Sequence, residues 1–245
     1  TLGPRINAAG RMDHAQRVVD LLMEKRESRA AEVAREIEEM NQQRREVDEK
    51  TTATALTQLE QSDAGSFVNI VHGKDWHRGV VGIVASRMIE QRYRPSIVLS
   101  EEDGGLIGSA RSVEGVDIHQ ALEECQDLLQ QFGGHTMAAG LSLKLEHLPE
   151  FKTRINAAIA EQLNGVLPKP VVRCDREVNI SELSLEAWNE LQQLEPFGPG
   201  NPTPVFMLKN VLCIRPPRTI GNQGRHLKIT VKDAENDHPT IDAIG

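Results

Sequence analysis

Along residues 28–60 the chain has neither proline nor glycine, and its apolar positions form one thin stripe: Ala30, Val33, Ile37, Met40 and Val47, giving way to threonine and alanine. That spacing predicts a long helix, polar around most of its circumference, of the kind that bridges two bodies through solvent. At 1.5 Å per residue it spans about 50 Å. A coiled-coil partner is the competing reading, and the decay of the stripe after Met40 speaks against it. A short apolar helix over 18–23 precedes this one. After the turn residues 62–65, a β-rich run at 67–71 predicts a strand, and 80–92 an apolar helix that Arg94-Pro95 breaks. Buried strands follow at 96–99 and 106–110. Strand, helix, strand in that order implies an α/β layer. A helix over 117–131, a strand over 141–145 and a helix over 147–163 complete it.

Residues 164–170, Asn-Gly-Val-Leu-Pro-Lys-Pro, read as a linker. Beyond it, 171–180 alternates like a strand and 181–194 is helical. A stiff Pro/Gly segment at 195–204 leads to strands at 205–208, 211–214, 227–231 and 240–244. Short strands between Gly, Pro and Asn turns imply a small β-barrel. The expected fold class is therefore α/β, with a long bridging helix ahead of the α/β domain and a small barrel behind it.

The 245 residues allow one large domain or two small ones. No apolar run approaches the roughly 20 residues that cross a bilayer. Cys125, Cys174 and Cys213 are far apart, which suggests neither a disulfide framework nor a zinc knuckle, and fits a reducing, cytoplasmic setting. These residues carry no pattern from which a signal peptide is expected. The chain starts at Thr1 without Met and stops inside an expected strand, so it reads as a fragment whose missing motifs lie outside it.

A formal net charge of −8 speaks against nucleic acid for the chain as a whole. Its distribution speaks otherwise. Between Glu195 and Asp233 there is no acid, while Lys209, Arg215, Arg218, Arg225, Lys228, Lys232 and His226 fall in that window. Aromatic content is only 3%, so a strand held there is gripped by ionic contacts more than by stacking.

Four stretches carry candidate chemistry. Residues 1–12 bracket Asn7 and a small Ala-Ala-Gly step between Arg5 and Arg11; guanidinium forks suit phosphate oxygens, and a helix lead-in with solvated arginines is the alternative. The loop 72–79 brings Lys74, Trp76, His77 and Arg78 to the start of a helix, where free N–H groups favour an anion; packing of Trp76 with solvated charges is the alternative. Ser109 and Ser112 flank Arg111 at a strand end. Gly133-Gly134-His135, followed by Ala138-Ala139-Gly140, reads as a loop whose backbone can approach a phosphate, or as a tight helix-to-strand turn with a surface histidine.

Together these stretches carry a resemblance. Gly-Pro-Arg-Ile-Asn-Ala-Ala-Gly-Arg at 3–11, Trp-His-Arg-Gly-Val-Val-Gly-Ile-Val-Ala-Ser-Arg at 76–87, Gly-Ser-Ala-Arg-Ser at 108–112, the 132–140 stretch and Pro-Phe-Gly-Pro-Gly-Asn-Pro at 196–202 resemble, in order, the C-terminal part of the RecJ-type exonucleases. These are single-strand-specific bacterial DNA exonucleases of the DHH phosphoesterase superfamily. The resemblance implies the end of a DHH lobe at 1–27, a connecting helix at 28–61, a DHH-associated domain at 62–165 and an OB-like domain at 166–245. It implies hydrolysis of single-stranded DNA, 5′-to-3′, in repair and recombination. It also implies Mn2+ or Mg2+ held by an Asp-His-His lobe upstream, since no such motif occurs here and Asp13-His14 lacks the second histidine. Arg5, Asn7 and Arg11 are implied to hold backbone phosphates, with His77 and Arg78 facing the same cleft. Ser109 and Arg111 are implied to hold the incoming strand. Gly133, Gly134 and His135 come nearest the scissile phosphate, with His135 as the catalytic donor. Charge alone adds Arg215, Arg218, Arg225 and Lys228 on the barrel. Single-strand-binding protein and a helicase are the partners such a family implies, and a monomer is expected. A DHH-family phosphodiesterase acting on oligoribonucleotides or cyclic dinucleotides, and a non-catalytic binding module, are the other readings.

Overall fold

Helix α1 (Gly3–Met12) begins the chain, with Pro4 in its first turn, where a missing N–H is no loss. Helices α2 (Gln16–Met23) and α3 (Glu27–Gln61) follow. The computed structural model describes residues 3–12, 15–221, 224, 226–235 and 240–245. It divides into two units, 1–170 and 171–245.

In the first unit α3 is the expected long helix, 35 residues. Its inward face is taken up inside the chain. Val33 and Ile37 pack with Ala9 and Val18, while Ala55 and Leu59 join a separate core further on. Between these two apolar patches α3 buries Asn41, Asp48, Thr51 and Thr52.

The unit continues with β1 (Asn69–Lys74), α4 (Arg78–Gln91), β2 (Ser96–Glu102), β3 (Gly105–Arg111), α5 (Ile118–Glu123), β4 (Leu129–His135), β5 (Ala138–Lys144) and α6 (Leu148–Gln162). The sheet order is β1-β2-β3-β5-β4. Only β1 and β2 run parallel, joined by α4, and every other pair is antiparallel. One face, with Val71 and Val98, packs on α3 and α4. The other, with Ile97, Leu99, Ala110, Leu141 and Leu143, packs on Phe151, Ile155 and Ile159 of α6 and on α5. Asp48 of α3 is 2% exposed and accepts from Arg87 of α4 at 2.9 Å and from Thr52 at 3.3 Å, with Arg44 at 3.7 Å.

One correction matters for the site. The run 117–131 is not a single helix: α5 ends at Glu123, a 3-10 turn covers 126–128, and β4 begins at Leu129. The cause is a bulge. Leu129 pairs with Leu143 and Phe132 with Leu141, so residues three apart on β4 face residues two apart on β5. The inserted residue turns a period of two into the spacing of a helix.

The second unit contains β6 (Arg176–Glu177), α7 (Leu185–Gln192), β7 (Phe206–Met207), β8 (Val211–Cys213), β9 (Arg218–Ile220), β10 (His226–Asp233) and β11 (Ile241–Ile244). β8, β9 and β11 each pair antiparallel with β10, and β6 pairs parallel with β7. The strand expected over 171–180 shrinks to two residues, because Val171 and Val172 are 70% and 79% exposed and bury nothing. The helix expected over 181–194 starts at Leu185, where the Ser184 hydroxyl accepts from the Ala187 N–H at 3.1 Å. No helix among the described residues is long and apolar enough to cross a membrane.

Candidate nucleic-acid interface

Three motifs of the first unit meet on one side of its sheet. The register sets Arg111, Ala138 and His135 opposite one another across β3, β5 and β4, and sets Ser109, Gly140 and Gly133 in the row two residues away. Strand alternation gives these two rows one face and sends Ala110, Ala139 and Gly134 to the other. On the first face α4 covers β2 and β3. Past Ser109 and Arg111 the surface is bare: Gly133 and Gly140 are exposed, and a Cβ at Gly133 would have nothing within 4 Å. The result is a floor of backbone beside a helix wall. β4 is the sheet edge, so alternate backbone N–H groups point outward without a strand partner. The Gly-Gly-His segment thus offers its backbone as an edge strand and not as a helix-to-strand loop.

The wall carries the charge. Arg111 donates to the Ser109 hydroxyl at 2.6 Å and to the Ala110 carbonyl at 2.8 Å. Its guanidinium lies over Gly82 of α4, where a Cβ would come within 2.5 Å of Nη2. Burial pushes the Arg111 pKa down, and the nearby Arg11 charge pushes it the same way. Among the described residues neither arginine has a carboxylate partner. Two guanidiniums held near each other without an acid form a site for an anion.

Arg11 is placed by a close helix approach. It donates from Nη1 to the Gly79 carbonyl at 3.1 Å, and a Cβ at Gly79 would lie 2.2 Å from the Arg11 carbonyl oxygen. The small Ala8-Ala9 step is fully buried, so it serves packing and leaves the polar side to Asn7 and Arg11, one turn apart and both exposed.

The two histidines have matching hydrogen bonds. His77 caps α4, its Nδ1 accepting from the Gly79 N–H at 3.0 Å. His135 Nδ1 accepts from the Met137 N–H at 3.3 Å. In each neutral ring the proton then resides on Nε2, which remains an outward donor. The turn after His135 is pinned, because the Thr136 hydroxyl donates to Asp117 at 3.0 Å and the Ser112 N–H donates to the Met137 carbonyl at 2.9 Å. Gly134 has φ +153°, and a Cβ there would meet the Ala138 carbonyl oxygen at 2.3 Å, so only glycine fits the hairpin end.

Other expected cations are already engaged. Arg5 is ion-paired with Glu38. Arg78 makes a forked contact with Glu102 of β2, and that carboxylate raises the guanidinium pKa. In the second unit Lys228 pairs with Asp242 at 2.6 Å, which holds that carboxyl below its ordinary pKa, with a smaller push from the Arg215 charge. The acid-free window of the sequence therefore acquires an acid from β11 on folding. Arg218 is exposed opposite Lys228, and Arg225 lies outside the described residues.

Sequence reasoning missed Gly82, Asp117, Glu102 and Asp242. A glycine inside an otherwise apolar helix costs about 1 kcal/mol against alanine, and that anomaly was the available signal for Gly82. The three acids gave none, because their partners lie 12 to 24 residues away along the chain.

Comparison with known proteins adds to this geometry. Residues 63–161 match the DHHA1 domain and residues 174–245 the RecJ OB domain. The single-stranded-DNA-specific exonuclease RecJ of Bacillus subtilis is 37% identical over 246 residues, covering all of this chain and 31% of that protein. RecJ of Escherichia coli is 35% identical over 252 residues, covering 99% of this chain and 43% of that protein. A crystal structure of RecJ from Thermus thermophilus in complex with Mg2+ superimposes with a TM-score of 0.80 at 30% identity, covering 99% of this chain and 36% of that one; one with Mn2+ gives the same score. The chain thus spans less than half the length of these relatives. It carries a DHHA1 domain followed by a RecJ OB domain, and along its whole length it is similar to the RecJ single-stranded-DNA-specific exonucleases.

Proposed function

We propose that this chain is the strand-gripping part of a single-stranded-DNA-specific exonuclease of DNA repair and recombination, working 5′-to-3′ in the cytoplasm as a monomer. Residues 1–27 then close a DHH lobe, α3 connects it to the DHH-associated domain at 62–165, and 166–245 form the OB-like domain. The observation that carries the reading is the pair Arg11 and Arg111, which has no carboxylate partner among the described residues, beside the bare backbone of Gly133 and Gly140. Arg11, Arg111 and the Ser109 hydroxyl hold backbone phosphates. The glycine floor lets the sugar–phosphate chain lie against the sheet edge. His135 donates from Nε2 to a non-bridging oxygen as charge builds on it, and His77 and Asn7 line the approach. Arg5 and Arg78 contribute once the strand displaces Glu38 and Glu102; on the second unit, taken by itself, Lys228 does so once Asp242 is displaced, with Arg215, Arg218 and Arg225 as the contacts that charge alone suggests.

Among the described residues no three His, Cys, Asp or Glu side chains come together as metal ligands. The residues that would hold the Mg2+ or Mn2+ of the RecJ structures are assigned, on the resemblance, to a DHH lobe upstream, and with them the activation of water.

The test is anisotropy of a labelled single-stranded oligonucleotide titrated with this chain, without metal, at several salt concentrations. Strong salt dependence and weaker binding of duplex are expected. No binding at low salt, with tight binding of a cyclic dinucleotide, replaces the reading with that of a small-nucleotide phosphodiesterase.

A further inference from the structure

Within the second unit, α7 and the β6–β7 pair enclose a groove that the strand track does not use. Its volume is about 870 Å3, and it is lined by Val178, Leu185, Trp188, Leu191, Leu194 and Phe206. Trp188 is 55% and Leu185 82% exposed, so an apolar helix face stands open to water. A contiguous apolar patch of this kind marks an interaction surface.

Its rim defines the occupant. The charged residues of its lining are Glu182, Glu190 and Arg176, and from residue 177 to 208 the chain has five glutamates, at 177, 182, 186, 190 and 195, and no lysine, arginine or histidine. Glu177 pairs with Lys209 and Glu182 with Arg176. Glu186, Glu190 and Glu195 have no ion-pair partner among the described residues. With Arg176 held by Glu182, the lining charge left without an ion pair among the described residues is that of Glu190, which favours a cation over a phosphate. β6 and β7 are two residues long, so they offer almost no edge for an added strand. On α7, Leu185, Trp188 and Leu191 recur every three residues, a ridge suited to meshing with another helix.

We propose that this groove docks a cationic amphipathic helix of a partner protein. Apolar side chains of that helix enter beside Trp188, and its lysines or arginines meet Glu190 on the lining and Glu186 beside it on the same helix. The unit then has two faces of opposite character: a basic sheet for the strand and an acidic, apolar groove for a protein.

The probe is a labelled synthetic helix of leucine and lysine with helical periodicity, titrated with the whole chain at moderate salt. Saturable binding with a blue shift of tryptophan emission is expected, since Trp76 is already buried and Trp188 is the exposed reporter. The double substitution Glu186→Lys and Glu190→Lys, on exposed positions whose folding circular dichroism verifies, lowers affinity by about tenfold or more. Trp188→Ala weakens binding as well. The proposal is overturned if a leucine/glutamate helix or a sequence-scrambled lysine peptide binds equally, or if the charge reversal changes nothing. It is also overturned if a single-stranded oligonucleotide produces the Trp188 shift, or if the chain alone dimerises with that emission already blue-shifted.

Discussion

Gly82→Ala separates the anion site from the stability of the fold. The added Cβ would lie 2.5 Å from Arg111 Nη2 and 3.2 Å from both Arg111 Cζ and Ser109 Oγ. Ordinary contacts are about 3.5–4.0 Å, so the guanidinium must shift by about 1 Å and leave the Ser109 hydroxyl. What moves is the far end of a flexible side chain, and the backbone stays. Alanine in a helix interior gains about 1 kcal/mol over glycine, and breaking the Arg111–Ser109 hydrogen bond returns a similar amount. The melting temperature should therefore change by only a few degrees. Binding should not be spared. One charge-assisted phosphate contact contributes about 1.5–3 kcal/mol, which is roughly ten- to a hundredfold in affinity. The salt slope for a single strand should fall by about 0.7 when one phosphate is no longer held. Thermal melts and anisotropy on the same preparations decide it. Unchanged affinity and slope, with the protein folded, would refute the placement of a phosphate at Arg111.

Gly79→Ala and Gly108→Ala make the contrast: each puts a Cβ within 2.2 Å of a backbone carbonyl oxygen, so urea titration should show losses of several kcal/mol. Asp48→Ala removes one partner of a buried pair, a loss of about 3–5 kcal/mol when both charges are enclosed; Arg87 is partly exposed, so the lower end is expected in the same titration. Asp242→Asn should release Lys228 and strengthen binding of single-stranded DNA with a steeper salt slope; weaker binding would move the track off this sheet. Burial pushes the Cys125 thiol up to about 11 from an ordinary 9.0, so a thiol reagent at pH 8 should titrate Cys174 and Cys213 in the folded protein and all three cysteines only in denaturant. Because the folded value is the higher one, Cys125 has no effect on stability below about pH 9 and favours unfolding as pH rises from there through 11.

Much of the architecture was legible because its elements keep one period each. The stripe of α3 and the apolar run of α4 match their patterns at nearly the expected bounds, and the buried β2 starts where expected at Ser96 but runs three residues further. β4 was not legible, since a bulge disguised its alternation, and the 171–180 run has the alternation of a strand but finds a partner for only two residues. At the site, the four motifs could be identified but not their neighbours. That Arg111 lacks an acid while Arg78 has Glu102 depends on sheet register, which no local pattern encodes. The same holds for Asp242, which lies outside the basic window and folds onto it.

Helices α1, α3 and α4 touch pairwise at three separate points: Arg5 with Glu38, Asp48 with Arg87, and Arg11 with Gly79. The sides between those points are about 15 Å along α3, 12 Å along α4 and 9 Å along α1 at 1.5 Å per residue. Three rigid rods pinned at three corners make a truss, which unlike a four-sided frame does not shear. The spacing between Arg11 and Arg111 is thereby tied to the lengths of helices and not to the softness of loops. A rod freed at the Asp48–Arg87 corner becomes a hinge, so a substitution there, far from the glycine floor, should loosen the grip on a strand without touching it.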